Sequence, residues 1–154
     1  MAINVLSNIC ILNLSEPLTN VEALTLMGNK AVEAKWAKPG FVEAVLAREE
    51  KYATGLHTAG VEVAIPHADP EWTIDPGMVI GVCDQPVVFQ PMGGLGGDVH
   101  ARFIFLLAIP DAEAHISFLQ ALAGFIEDGE RLSELERTKD VSALIEYLQQ
   151  TVEA

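Results

Sequence analysis

Phe103-Ile104-Phe105-Leu106-Leu107-Ala108-Ile109 is the longest apolar run in the chain, and Pro110-Asp111 stops it. It is too short to span a membrane and suits a β-strand covered on both faces. Beyond it, Ile116, Leu119, Ala123 and Ile126 recur at helical spacing, as do His115, Phe118, Leu122 and Phe125. That spacing predicts a helix apolar over a wide arc, followed by shorter helices around Leu132 to Glu136 and from Val141 to Leu148. Before the run, Met78 to Val82 reads as a strand. Asp84-Gln85-Pro86 reads as a turn, with Val87 to Phe89 returning as a hairpin partner. Pro91 to Asp98 is glycine-rich and predicts a loop.

Further upstream, Ile9 to Leu12 predicts a first strand. Ser15, with Pro17 just inside, reads as a helix start. Leu18, Val21, Leu24, Thr25 and Gly28 follow at helical spacing, on to Ala31 and Val32. Lys35 to Gly40 breaks the pattern. Phe41, Val45 and Leu46 form a second helical stripe, with Arg48, Glu49 and Glu50 near its end. Val61 to Ile65 predicts a strand ending at Pro66. The order is strand, two helices, three or four strands, then helices. Helices on both sides of a sheet make this an α/β fold, an α/β/α sandwich. There are no repeats, linkers or low-complexity tracts, so residues 1–154 read as a single domain.

Half of the 154 residues are hydrophobic, enough for a full core. Asp and Glu number 22 against 9 Lys and Arg, a net charge of −13. Such a chain repels nucleic acid and anionic membrane surfaces. The charge either attracts a basic protein partner or serves only solubility. Cys10 and Cys83 lie in apolar surroundings without CxxC or metal-site spacing, which fits a reducing cytoplasm. The N-terminus lacks the basic and apolar regions of a signal peptide, and no run is long enough to insert in a membrane. The expected location is cytoplasmic.

The chemistry concentrates at Gly60-Val61-Glu62-Val63-Ala64-Ile65-Pro66-His67-Ala68-Asp69. A β-branched run stops at a proline, and a histidine follows at the edge of structure. Imidazole titrates near neutrality, so His67 can be a nucleophile without an auxiliary base. Pro66 fixes φ and removes one backbone donor. The other ring nitrogen needs a carbonyl or carboxylate to set the tautomer, from Asp69 or from the backbone. His67 is either a phosphoryl acceptor or a turn histidine. His115 follows Asp111, an N-cap candidate, and so falls in the first turn of the long helix. There it either donates to a bound anion or packs as a core histidine on an apolar face. Arg48 is either a forked phosphate clamp or half of a surface ion pair with a neighbouring glutamate. His57 and His100 read as solvated loop histidines. Gly93-Gly94-Leu95-Gly96-Gly97-Asp98 lacks the Lys-Ser/Thr of a P-loop and the spacing of a dinucleotide fingerprint. A metal centre of His67, Asp69 and His100 has no HxxxH or HExxH spacing behind it. No metal or cofactor is expected.

These residues together resemble a known family. Gly60-x-x-Val63-Ala64-Ile65-Pro66-His67-Ala68 is similar to the phosphohistidine signature of enzyme IIA components of the bacterial sugar phosphotransferase system (PTS), fructose/mannitol type (type 2). That type also includes galactitol and nitrogen-regulatory branches. Glu22-Ala23-Leu24, Phe41-Val42-Glu43-Ala44-Val45-Leu46-x-Arg48-Glu49 and Thr54-Gly55-Leu56 resemble the family's upstream half in order. Phe105-Leu106-Leu107-Ala108-Ile109-Pro110 and His115-Ile116-x-x-Leu119-x-x-Leu122-Ala123 resemble its second half. The stricter signature has a bulky apolar residue before the glycine, where this chain has Ala59. It has an acidic or amide residue further upstream, where this chain has Tyr52. The Thr54-Gly55-Leu56 segment leans towards the galactitol-like branch.

The resemblance implies an α/β/α sandwich around a mixed sheet. It implies a phosphotransferase without a metal or cofactor. His67 matches the phosphorylated histidine, His115 the assisting one, and Arg48 the arginine beside the active centre. The implied donor is the phosphocarrier protein HPr. The implied acceptor is a cysteine of a IIB component, and through it the membrane IIC during sugar or polyol uptake. A regulatory phosphoprotein that switches partners, with no transport, is the alternative.

Overall fold

A computed structural model describes residues 8–58, 61–94, 96–109, 112–138 and 140–152, excluding the side chains of 112–115 and 148–152. Its strands are β1 (Ile9–Leu14), β2 (Gly55–Leu56), β3 (Glu62–Ala64), β4 (Gly77–Phe89) and β5 (Val99–Ala108). Its helices are α1 (Asn20–Glu33), α2 (Phe41–Lys51), α3 (Ala112–Ile126), α4 (Gly129–Thr138) and α5 (Ser142–Val152). The strands form one five-stranded sheet in the order β1-β4-β5-β3-β2. β1 is parallel to β4, and β3 is parallel to β5. The β4–β5 and β2–β3 pairs are antiparallel, so the sheet is mixed.

Alternation along the central strands divides the core in two. Met78, Ile80 and Val82 of β4 join Phe103, Phe105 and Leu107 of β5 on one face. Phe118, Leu122 and Phe125 of α3 cover that face, with Leu132 and Leu135 of α4 and Leu144 of α5. Ile104, Leu106 and Ala108 of β5 point the other way, to Leu24 and Met27 of α1 and Phe41 and Val45 of α2. The expected α/β/α sandwich is therefore present, and the Phe103–Ile109 run is buried from both sides.

Three local expectations change. α1 begins at Asn20, after Thr19, and not near Ser15. The Thr19 hydroxyl accepts from Glu22 N–H, while the Glu22 carboxylate accepts from Thr19 N–H. This reciprocal capping box satisfies two helix-end donors and fixes the start beyond Pro17. Second, Val87 to Phe89 is no hairpin return. It continues β4, because both halves pair with β5 across an irregularity between Val82 and Val87. Pro86 lies within that irregularity, where the missing ladder donor does least harm. The reversal comes later, at the glycine-rich turn around Met92–Gly94, where Gly93 and Gly94 have φ of 76° and 72°. Third, the short strand β2 was not expected. Its pairing with β3 is only two residues long, too short for a periodic signal.

Candidate active site

The polypeptide leaves β3 at Ala64 and stays beside β5. Ile65 N–H donates to the Thr54 carbonyl (3.2 Å), and the Pro66 carbonyl accepts from Leu107 N–H (3.1 Å). Proline costs the ladder nothing here, since its carbonyl is the group used. His67 lies opposite Leu107 in parallel register. It therefore stands at the end of the sheet from which β5 runs towards α3. The segment after His67 is also fixed. Trp72 packs on Gly40, whose φ of 96° starts α2, and a Cβ there would meet the indole at 2.8 Å. Lys38 N–H donates to the Trp72 carbonyl (2.9 Å). The His67 turn and α2 are thus tied together at the helix's first turn. Arg48 sits in the last turn.

His67 Nδ1 lies 3.0 Å from the Ile65 carbonyl oxygen. A carbonyl only accepts, so Nδ1 carries the proton and the lone pair of the neutral ring is on Nε2. This settles the tautomer in favour of the backbone, not Asp69. Burial holds the His67 pKa below its ordinary value, and the Arg48 guanidinium adds to that depression. The Ile65 bond and the Asp69 carboxylate push the other way without prevailing. A neutral imidazole with a defined Nε2 lone pair is a competent nucleophile at neutral pH.

Arg48 reaches the same turn. Its Nη1 donates to Asp69 Oδ1 at 2.8 Å, so its ion-pair partner is Asp69 and not a neighbouring glutamate. The guanidinium lies 5.4 Å from the Tyr52 ring centroid. Glu49, next along α2, turns inward and is buried. It accepts from Thr54 N–H (2.8 Å) and from the Thr54 hydroxyl (2.6 Å). Burial raises its pKa, and the two Thr54 bonds draw it back only in part. The Arg48-Glu49 pair thus has one residue facing the His67 turn and one clamping the approach to β2.

His115 belongs to the first turn of α3. Its side chain lies outside the described set, as does Asp111, the expected N-cap. The structure therefore brings Arg48 and Asp69 to His67, and aligns β3 and β5 so that α3 follows at the same end of the sheet.

His100 lies within β5, paired with Val88, and not in a loop. His57 is an exposed loop residue, as the sequence reads, but both its ring nitrogens are engaged: Nδ1 with Glu62, and Nε2 with the Gly97 carbonyl at 2.8 Å. Glu62 and Gly97 raise its pKa. Burial works against Glu62, yet bonds from His100 N–H and His57 hold its pKa down. Nothing in the local sequence signals this bridge, which joins residues 40 apart. Among the described residues, no three His, Cys, Asp or Glu side chains are grouped to hold a metal ion. The His67, Asp69 and His100 centre does not assemble. No described helix is long and apolar enough to cross a membrane.

Residues 4–151 match the family described as phosphoenolpyruvate-dependent sugar phosphotransferase system, EIIA 2. The chain belongs to that family. It is 32% identical over 130 residues to a mannitol-specific PTS EIICBA component of Vibrio cholerae, covering 82% of this chain and 19% of that protein. The chain thus spans about a fifth of the length of this relative. Among solved structures, it resembles the IIA of the Escherichia coli complex of mannitol IIA with phosphorylated mannitol IIB. There the TM-score is 0.72 at 26% identity, covering 93% of this chain and 94% of that one. The crystal structure of mannitol IIA from Escherichia coli gives 0.68 at 27% identity, covering 92% and 95%. The nitrogen regulatory protein IIA-Ntr of Neisseria meningitidis shares the fold, with a TM-score of 0.64 at 23% identity, covering 93% and 94%.

Proposed function

We propose that this chain, working as one domain over residues 1–154, carries a phosphoryl group on His67 in sugar or polyol uptake. The observation behind this reading is the His67 ring itself. Its proton is on Nδ1 against the Ile65 carbonyl, and burial favours the neutral form, which gives Nε2 its lone pair. The donor is a phosphohistidine of an HPr-like phosphocarrier. The acceptor is the cysteine of a IIB component, coupled to a membrane IIC. Transfer between such groups passes through a loose transition state with charge spread over three oxygens. Fixed donors then matter more than covalent help. Arg48 and His115 serve as those donors, Arg48 from the last turn of α2 and His115 from the first turn of α3. The mannitol-specific relatives favour a polyol. Thr54-Gly55-Leu56 favours the galactitol-like branch.

The test is phosphoryl transfer from phosphorylated HPr to the wild-type chain, His67→Ala and His115→Ala, followed by intact mass. The expected outcome is one acid-labile phosphoryl group on wild type, none on His67→Ala and slow uptake by His115→Ala. Wild type that takes up no group overturns the reading. Uptake without onward transfer to any IIB cysteine supports a phosphorylation-dependent regulator instead.

A further inference from the structure

We propose that Asp69 sets how firmly His67 holds its phosphoryl group, by competing with that group for Arg48. The inference rests on the carrier reading above and assigns a positioning residue to it.

Asp69 occupies the N-cap position of the 3-10 turn Pro70–Trp72, yet its side chain makes no capping bond. The carboxylate turns instead to Arg48, in a one-pronged contact of 2.8 Å from Nη1 to Oδ1. A guanidinium carries five N–H donors. Among the described residues, one meets Asp69, and another, Nε–H, is buried with no hydrogen-bond partner. Among the described residues the cation therefore has donors to spare. The contact also lies open: the Arg48 and Asp69 side chains are 34% and 61% exposed. Exposed pairs of this kind are weak and exchange readily. Both charges act on the His67 ring in opposite directions, so both lie within its electrostatic reach.

In the transfer step, the donor P–N bond breaks and its electron pair stays on the donor ring. The Nε2 lone pair of His67 forms the new P–N bond, while the Nδ1 proton remains against the Ile65 carbonyl. Onward transfer to a thiolate reverses this, with the P–N electrons returning to Nε2 as the P–S bond forms. A phosphoryl dianion on Nε2 gives the single guanidinium two anionic claimants. Phosphate geometry suits the fork better than a one-pronged carboxylate contact. The phosphorylated form must then give up the Asp69 contact, which leaves the group less firmly held and easier to pass on.

The experiment measures the equilibrium between phosphorylated HPr and this chain by intact mass, for wild type, Asp69→Asn, Asp69→Glu, Arg48→Ala and the Asp69→Asn/Arg48→Ala double variant. Asp69→Asn is expected to shift the equilibrium about fivefold towards the phosphorylated chain, the span of one exposed ion pair. Asp69→Glu restores the wild-type balance. In the Arg48→Ala background, Asp69→Asn shifts nothing. An unchanged equilibrium in Asp69→Asn, with wild type still phosphorylated, overturns this inference alone. A shift that survives Arg48→Ala also overturns it, since Asp69 would then act on the phosphoryl group directly. Wild type that accepts no phosphoryl group overturns this inference and the carrier reading together.

Discussion

At the scale of single residues, burial controls the reactive groups. It disfavours the imidazolium of His67, so on the proposed carrier reading phosphoryl acceptance should decline as pH falls with its midpoint at the folded pKa, below the ordinary imidazole value near 6.5. A pH–rate profile beside an NMR titration of the ring checks this. A decline centred above 6.5 would contradict it. Cys83 is inert by the same cause, its pKa pushed up to about 12. Native protein at pH 8 should be alkylated at half-buried Cys10 and not at Cys83 until it unfolds, as peptide mapping would show. Glu49 illustrates the complementary rule for a buried acceptor. Glu49→Ala strands the Thr54 N–H and hydroxyl and should cost about 2–3 kcal/mol in chemical denaturation. Glu49→Gln keeps one acceptor oxygen and should cost less.

At the scale of elements, ends and close approaches decide what propensity leaves open. Thr19→Ala breaks the α1 capping box and should cost about 1 kcal/mol, read as a shift in denaturation midpoint. Ser15→Ala should leave stability unchanged, because Ser15 lies outside the helix. Gly55 in β2 donates to the Gln90 carbonyl at 3.1 Å. A Cβ on Gly55 would stand 2.5 Å from that oxygen. Backbone cannot move aside as a flexible side chain can, so Gly55→Ala should cost about 1–3 kcal/mol and loosen the β2–β3 pairing, as hydrogen exchange would report. The helices were legible because their apolar stripes are long and periodic. The course of β4 was not, because Asp84-Gln85-Pro86 has the composition of a turn. Only pairing of both halves with β5 distinguishes a bulge from a reversal.

At the scale of the molecule, two histidines give stability opposite pH slopes. His57 is raised by Glu62 and Gly97, so its contribution is complete below the unfolded value near 6.5 and is lost as pH rises through the folded pKa. His67 is depressed by burial, so its contribution is present above that value and is lost as pH falls through the folded pKa. Denaturation midpoints measured from pH 5 to 8 should show the two losses on opposite sides of about 6.5. Relative to wild type, His57→Gln should flatten the alkaline side and His67→Gln the acidic side. A variant that leaves its own side unchanged would refute that assignment. The His57 bridge also ties the glycine-rich turn to the strand that leads into Pro66-His67. Gly96 permits this, since a Cβ there would lie 3.1 Å from His57 Nε2 and its φ is 88°.

By itself the sequence determined the layers and the candidate nucleophile. An apolar run stopped by Pro110, helical stripes on either side of the strands, and a histidine directly after a strand-ending proline are local patterns. Local patterns reflect which faces must leave water and where a ladder must end. Tertiary structure alone decided the tautomer of His67, the partner of Arg48 and the role of His57. Each depends on a carbonyl, carboxylate or charge brought close by strand register and helix packing. Hydrogen bonds and ion pairs act only over a few ångströms in space, and spacing along the chain does not encode such distances.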